Sequence, residues 1–136
     1  MIALEQVEVR NLERGESIPV DLREGFPDDW NYDCHWTWVA LLDGVIRGYI
    51  LAGAVQGVVM VMVVKAADKH AVVLPRLFRV FLRDCLARGY TGWMTHVRQD
   101  NPAQAKLLRI ARRTGAIVFP YVITCVGGRL NQAARY

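Results

Sequence analysis

Val58-Val59-Met60-Val61-Met62-Val63-Val64-Lys65-Ala66-Ala67-Asp68-Lys69-His70-Ala71-Val72-Val73-Leu74-Pro75-Arg76 is the stretch that decides the architecture. Its first seven residues are apolar at odd and even positions alike, a pattern that belongs to a strand covered on both faces in the middle of a sheet. A bend over residues 66–73 follows. From Leu74 the spacing turns helical, with Leu74, Leu77, Phe78, Phe81, Leu82, Cys85 and Leu86 on one side, Arg76, Arg79 and Arg83 on the other, and Gly89 as the stop. Strand, loop and helix in this order have the layout of an anion-binding βα unit, in which free backbone N–H groups and the positive end of the helix dipole meet a phosphate. The loop holds no glycine, the residue that most easily lets a backbone approach a phosphate.

Upstream, Trp38-Val39-Ala40-Leu41-Leu42 meets Asp43-Gly44 and resumes as Val45-Ile46-Arg47-Gly48-Tyr49-Ile50-Leu51, the strongest short signal for a hairpin. A second reversal is expected at residues 53–57. Residues 2–9 alternate as an edge or first strand, and residues 18–26 read as a short helix stopped near Pro27. Downstream, residues 90–97 read as a short strand. Asp100-Asn101-Pro102 opens a helix whose buried stripe is Leu107, Leu108 and Ala111, ending at Gly115. Residues 117–126 form a last strand pair or one bent strand broken at Pro120.

With 136 residues and 53% hydrophobic content, the expectation is one compact domain, residues 1–136, burying roughly two-thirds of its unfolded surface. Residues 1–64 carry 4 basic and 10 acidic side chains, whereas residues 65–136 carry 13 basic and 3 acidic ones. Most of the cations are arginine, whose planar fork suits phosphate or carboxylate, so nucleic acid, a phosphorylated cofactor and an acidic protein all fit the charge. Cys34, Cys85 and Cys125 are an odd number without C-x-x-C spacing, and no cationic, apolar leader opens the chain; a reducing cytoplasm is the expected location. Residues 45–64 approach membrane length, but Arg47, Gln56 and several glycines interrupt them, which argues against a span.

The order β, short helices, hairpin, β, helix, β, helix, β resembles the GNAT superfamily of acyl-CoA-dependent N-acyltransferases over nearly the whole chain. Leu41-Leu42-Asp43-Gly44-Val45-Ile46-Arg47-Gly48-Tyr49-Ile50 is similar to that family's second and third strands with their "dG-x-hhGyh" turn, and residues 101–118 to its last helix and the strand after it. The resemblance implies an α/β fold (an α+β sandwich): a mixed, mostly antiparallel central sheet of six to seven strands, splayed between the fourth and fifth and flanked by helices. Two positions depart from the family pattern. Where it has the glycine-rich pyrophosphate loop this chain reads Lys69-His70-Ala71-Val72-Val73-Leu74, and where its last helix carries a tyrosine, Leu108 or Ala111 stands. A further resemblance, to small degenerate GNAT-like phage proteins, implies the alternative of a catalytically inactive structural or host-directed binding protein.

The family resemblance also implies acetyl-CoA, or another acyl-CoA, as co-substrate. Val63 and Val64, on the strand beside residues 92–97, would hold its pantetheine arm; the amides of Lys69, His70, Ala71, Val72 and Val73 and the guanidinium of Arg76 would take the pyrophosphate; Asn101 completes the cofactor contacts. His96, at the end of the expected fifth strand, is the candidate proton acceptor for an attacking amine, because imidazole ordinarily titrates near pH 6.5; the plain alternative is a polar strand terminus. His35, beside Asp33, is the second catalytic candidate. No metal site is expected, since His35, Cys34 and Asp33 lack zinc-ligand spacing. Phe26, Trp30, Tyr32, Trp36 and Trp38 with Asp28, Asp29 and Asp33 fall where the family builds its acceptor wall; the alternative is that the tryptophans cover one end of the sheet. The expected acceptor is a small-molecule or protein amine, and a homodimer stays open. Lys106, Arg109, Arg112 and Arg113 leave nucleic-acid contact open without favouring it.

Overall fold

The computed structural model describes residues 6–23, 32–67, 72–98, 100, 104–119 and 123–136. Lys69, His70, Ala71, Asn101 and Pro120, the start of the first expected strand, the end of the first expected helix and the acidic residues 28–29 lie outside them. The elements are β1 (Glu8–Asn11), β2 (Thr37–Leu42), β3 (Val45–Val55), β4 (Val58–Ala66), α1 (Val73–Ala87), β5 (Gly92–Arg98), α2 (Gln104–Arg113), β6 (Ile117–Phe119), β7 (Ile123–Arg129) and α3 (Leu130–Ala133). They make one seven-stranded sheet in the order β1-β2-β3-β4-β5-β7-β6. β4, the run apolar on both faces, stands in its middle, as the sequence requires. The β4–β5 pair is parallel and the pairs β1–β2, β2–β3, β5–β7 and β6–β7 are antiparallel; a parallel neighbour needs a crossover, which α1 supplies. This is the mixed, mostly antiparallel, helix-flanked sheet that the sequence led us to expect.

The chain forms two compact units. The first comprises residues 1–52 and 63–81. Its β2–β3 hairpin turns on Asp43 and Gly44, with φ of 51° and 76°, the pair of left-handed residues that a type I′ turn demands. The register then shifts between Ala40 and Leu41, whose partners are Gly48 and Ile46, so Arg47 is an extra residue on β3. Its carbonyl accepts from the Ala67 amide at 2.7 Å. One residue on, a Cβ at Gly48 would stand 2.9 Å from Val73 Cγ1 and 3.1 Å from the Lys65 carbonyl oxygen, so the missing side chain is what lets α1 begin against β3. The core gathers Leu12, Ile18, Leu22, Val39, Leu41, Ile46, Tyr49 and Leu51. Trp38, fully buried, meets Phe81 of α1 edge to face at 4.8 Å. The helix expected over residues 18–26 is, in its described part, a 3₁₀ turn at Val20–Leu22. Ile18 and Leu22 share the spacing of one helical face, and a single tight turn suffices to bury both.

The second unit comprises residues 53–62 and 82–136. Gln56 and Gly57 make another I′ turn, with φ of 51° and 81°, at the expected second reversal. β5 is in register with β7 along its whole length, Gly92 with Arg129 through Arg98 with Ile123. The closing apolar stretch is a strand pair, β6 and β7. α3, not expected from the sequence, keeps Leu130 and Ala133 fully buried, and the Leu130 amide donates to the Thr91 carbonyl at 2.9 Å.

Candidate active site

In the second unit, the parallel register of β4 and β5 runs only from Val58–Gly92 to Val61–Thr95, although β5 goes on to Arg98. The Thr95 hydroxyl donates to the Val61 carbonyl at 3.0 Å, so a side chain closes the ladder where it stops. The next residue, His96, is exposed and stands opposite Cys125 of β7. Met62, the residue after Val61, is 60% exposed. Coverage of β4 on both faces, expected for its whole length, holds on one face only: Val59 and Val61 are buried, whereas Val58 and Met60 on the other face are half-buried and Met62 is exposed. The β4–β5 register ends with Val61 and Thr95, and backbone N–H and C=O groups at the end of such a ladder are the kind that a ligand carrying amides can pair.

In the first unit, β4 ends through Val63 and Val64, both half-buried, and α1 begins at Val73. The Arg76 amide donates to the Val72 carbonyl at 3.2 Å, closing the first turn. Helix geometry then leaves the amides of Val72, Val73 and Leu74 without an intrahelical acceptor, while Pro75 brings no N–H. Val73 and Leu74 are buried, which anchors this end. Val72 and Val73, two expected phosphate-binding residues, thus stand at the positive end of α1. Arg76, half-buried one turn further on, donates from Nε to the Val7 carbonyl at 3.5 Å.

His35 lies in a 3₁₀ turn, Cys34–Trp36, whose cap is Asp33: Asp33 Oδ1 accepts the His35 amide at 3.0 Å, and the Thr37 hydroxyl donates to the Asp33 carbonyl at 2.8 Å. The Asp33 carboxylate thus caps that turn. The His35 ring is exposed and stands edge-on to Trp36 at 5.7 Å. Of the expected aromatic wall, Phe26 and Trp30 lie outside the described residues and Trp38 is core. Tyr32 turns its ring edge to Tyr49 at 6.0 Å, and burial, then Tyr32, pushes the Tyr49 phenol well above its ordinary value. Where the family's tyrosine would stand on α2, Ala111 is buried and Leu108 half-buried. Among the described residues no group of His, Cys, Asp or Glu could hold a metal ion, and no helix is long and apolar enough to cross a membrane. A cleft of about 380 Å³, lined by Leu86, Tyr90, Thr91, Gly92, Arg129 and Asn131, opens at the first residue of β5, away from His96. Thr95 escaped the sequence reading; its only signal is a hydroxyl inside the run Trp93-Met94-Thr95-His96-Val97.

No protein-family profile and no curated protein matches this sequence. Solved structures do. The IAA acetyltransferase from Bacillus cereus superposes with a TM-score of 0.69 at 12% identity, over 90% of this chain and 99% of that one. The ribosomal-protein-S18-alanine N-acetyltransferase from Escherichia coli gives 0.64 at 11% identity, over 91% and 94%. Arabidopsis thaliana Naa50, in complex with the bisubstrate analogue CoA-Ac-MVNAL, gives 0.64 at 13% identity, over 90% and 98%. The chain has the GNAT fold. Its order of elements and its mixed, mostly antiparallel sheet are those the GNAT resemblance implied.

Proposed function

We propose that this protein is an acyl-CoA-dependent N-acyltransferase that moves an acetyl group from acetyl-CoA to an amine by direct attack. The observation that carries the reading is the end of the β4–β5 register at Val61 and Thr95, with β4 continuing to Ala66 and α1 opening at Val73. In this reading the backbone of residues 62–64 pairs with the amides of the pantetheine arm. The pyrophosphate lies at the N-terminus of α1, where the amides of Val72 and Val73 and the dipole stabilise its charge without glycine. Lys69, His70 and Ala71 precede that helix and Asn101 precedes α2, and the proposal keeps them as further contacts.

The chemistry asked of side chains is small. The acceptor nitrogen forms a bond to the acetyl carbon, the carbon–sulfur bond breaks, and the thiolate leaves with CoA. His96, exposed one residue beyond the end of the ladder, takes the proton lost by the amine. With alanine and leucine in place of the family's tyrosine, the thiolate takes its proton from water, and holding donor and acceptor together supplies most of the rate. His35 is the second choice of base. The E. coli neighbour is named for a protein acceptor and the Arabidopsis one is bound to the bisubstrate analogue CoA-Ac-MVNAL, which supports a peptide or protein amine as acceptor here; the phage-type binding protein finds no support among these neighbours. Calorimetric titration with acetyl-CoA tests the reading. Micromolar binding is expected, and no heat at millimolar ligand would refute it.

A further inference from the structure

Asp100 is the last acidic residue of the chain; residues 101–136 contain Lys106, Arg109, Arg112, Arg113, Arg129 and Arg135 and no aspartate or glutamate. We propose that the cationic face of α2, extended by the C-terminal segment, binds the phosphodiester backbone of duplex nucleic acid, a partner that the acyltransferase reading does not call for.

On α2, residues 106, 109 and 113 follow at three- and four-residue spacing and so share one face, with Arg112 beside them. Arg109, Arg112 and Arg113 are exposed, whereas Ile110 and Ala111 turn inward and are buried. The helix rises 1.5 Å per residue, so this row extends about 10 Å, comparable to three nucleotide steps of one strand at about 3.4 Å each. α2 does not stand alone. A Cβ on Gly115, just past its end, would run into the Gln132 side-chain amide, so α3 lies against the end of α2. From there the Gln132 carbonyl accepts the Arg135 amide at 3.2 Å, and Arg83 Nε of α1 donates to the Ala134 carbonyl at 3.4 Å. Arg135, exposed, and Arg83, whose Nε reaches Ala134, add cations at this C-terminal segment.

The occupant follows from what accompanies the charge. A membrane-surface helix needs bulky apolar side chains beside its cations, but Ile110 is buried and Leu107 and Leu108 are half-buried. A single strand is held by stacking on aromatic rings, and α2 carries none. A second copy would offer its acidic half, but Arg10 already gathers Glu8, Glu13 and Glu16 at 3.7, 3.9 and 2.8 Å. A duplex backbone needs only cations in a fixed row, and it is bound without sequence preference.

The test is fluorescence anisotropy of a labelled 20-base-pair DNA duplex from 50 to 300 mM NaCl. The wild type should show log affinity falling against log salt with a slope of about −3 to −5, near −0.9 per phosphate neutralised. Arg109→Gln/Arg112→Gln/Arg113→Gln should make that slope shallower by about 3 and weaken binding at least tenfold at 100 mM salt. Should the triple variant not fold, Arg109→Gln alone carries the test, with a slope shallower by about 1. Wild-type affinity in the variants, tighter binding to the single strand, or capture by anionic vesicles but not by the duplex would each overturn the proposal. Sedimentation showing charge-dependent self-association in place of DNA binding would overturn it as well.

Discussion

Replacing Gly48 by alanine adds one methyl group at the point where β3, the end of β4 and the start of α1 meet. That methyl would stand 2.9 Å from Val73 Cγ1, 3.1 Å from the Lys65 carbonyl oxygen and 3.4 Å from Ala66 Cα. Val73 is fully buried and two of the three neighbours are backbone, so relief requires moving α1 or β4. Overpacking of this kind costs about 1–3 kcal/mol, and the lower chain entropy of alanine returns about 0.5–1 kcal/mol, leaving a net loss of about 0.5–2 kcal/mol. For 136 residues, unfolding entropy of about 2.1 cal/mol/K per residue makes 1 kcal/mol worth about 3.5 °C, so the melting temperature should fall by about 2–7 °C. Gly53→Ala is the matched control: its nearest neighbour would be Met62 Sδ at 3.6 Å, ordinary contact, and its melting temperature should hold or rise slightly. Differential scanning fluorimetry on both variants reads the difference. Equal melting temperatures for Gly48→Ala, Gly53→Ala and the wild type would refute the claim that α1 starts tight against β3.

Val61, 6% exposed in the central strand, predicts that Val61→Asp leaves the protein insoluble or without a cooperative melt, since a buried unpaired carboxylate costs several kcal/mol; a normal transition by circular dichroism would count against the architecture. The Arg10–Glu16 pair, two bonds of 2.8 Å between side chains about a quarter exposed, holds the Glu16 carboxyl below its ordinary range and raises the Arg10 guanidinium. A carboxyl lowered in the folded state stabilises above the ordinary carboxylate pKa and loses that contribution as pH falls below it. Glu16→Gln should thus melt lower than the wild type at pH 7, by about 1 kcal/mol after allowance for solvent screening, with the gap narrowing as pH falls below the ordinary carboxylate range; a gap independent of pH would contradict this.

Local chemistry made part of this structure legible. Asp43-Gly44 supplies the two left-handed residues of a tight hairpin, and the switch from a doubly apolar run to helical spacing after Ala66 marks β4 and α1, so the centre of the sheet is written in consecutive residues. The candidate site is written less fully, because its decisive feature joins residues far apart in sequence. Nothing beside Val61 indicates that the ladder stops there; that depends on Thr95, 34 positions away. The placement of Gly48 is likewise visible as a motif letter, but its cause is Val73 on another element. For Trp38 the sequence left two readings, acceptor wall or cover of the sheet, and only Phe81, 43 positions away, decides for the core; α3 is too short for periodicity to reveal.

Backbone amide hydrogen exchange, followed by mass spectrometry with and without acetyl-CoA, tests the central claim most directly. If the β4 backbone past Val61 and the opening turn of α1 hold the donor, peptides covering residues 62–66 and 72–76 should exchange more slowly with ligand, while those covering residues 104–113 stay unchanged. Binding without protection of either segment, or protection confined to residues 104–113, would contradict it.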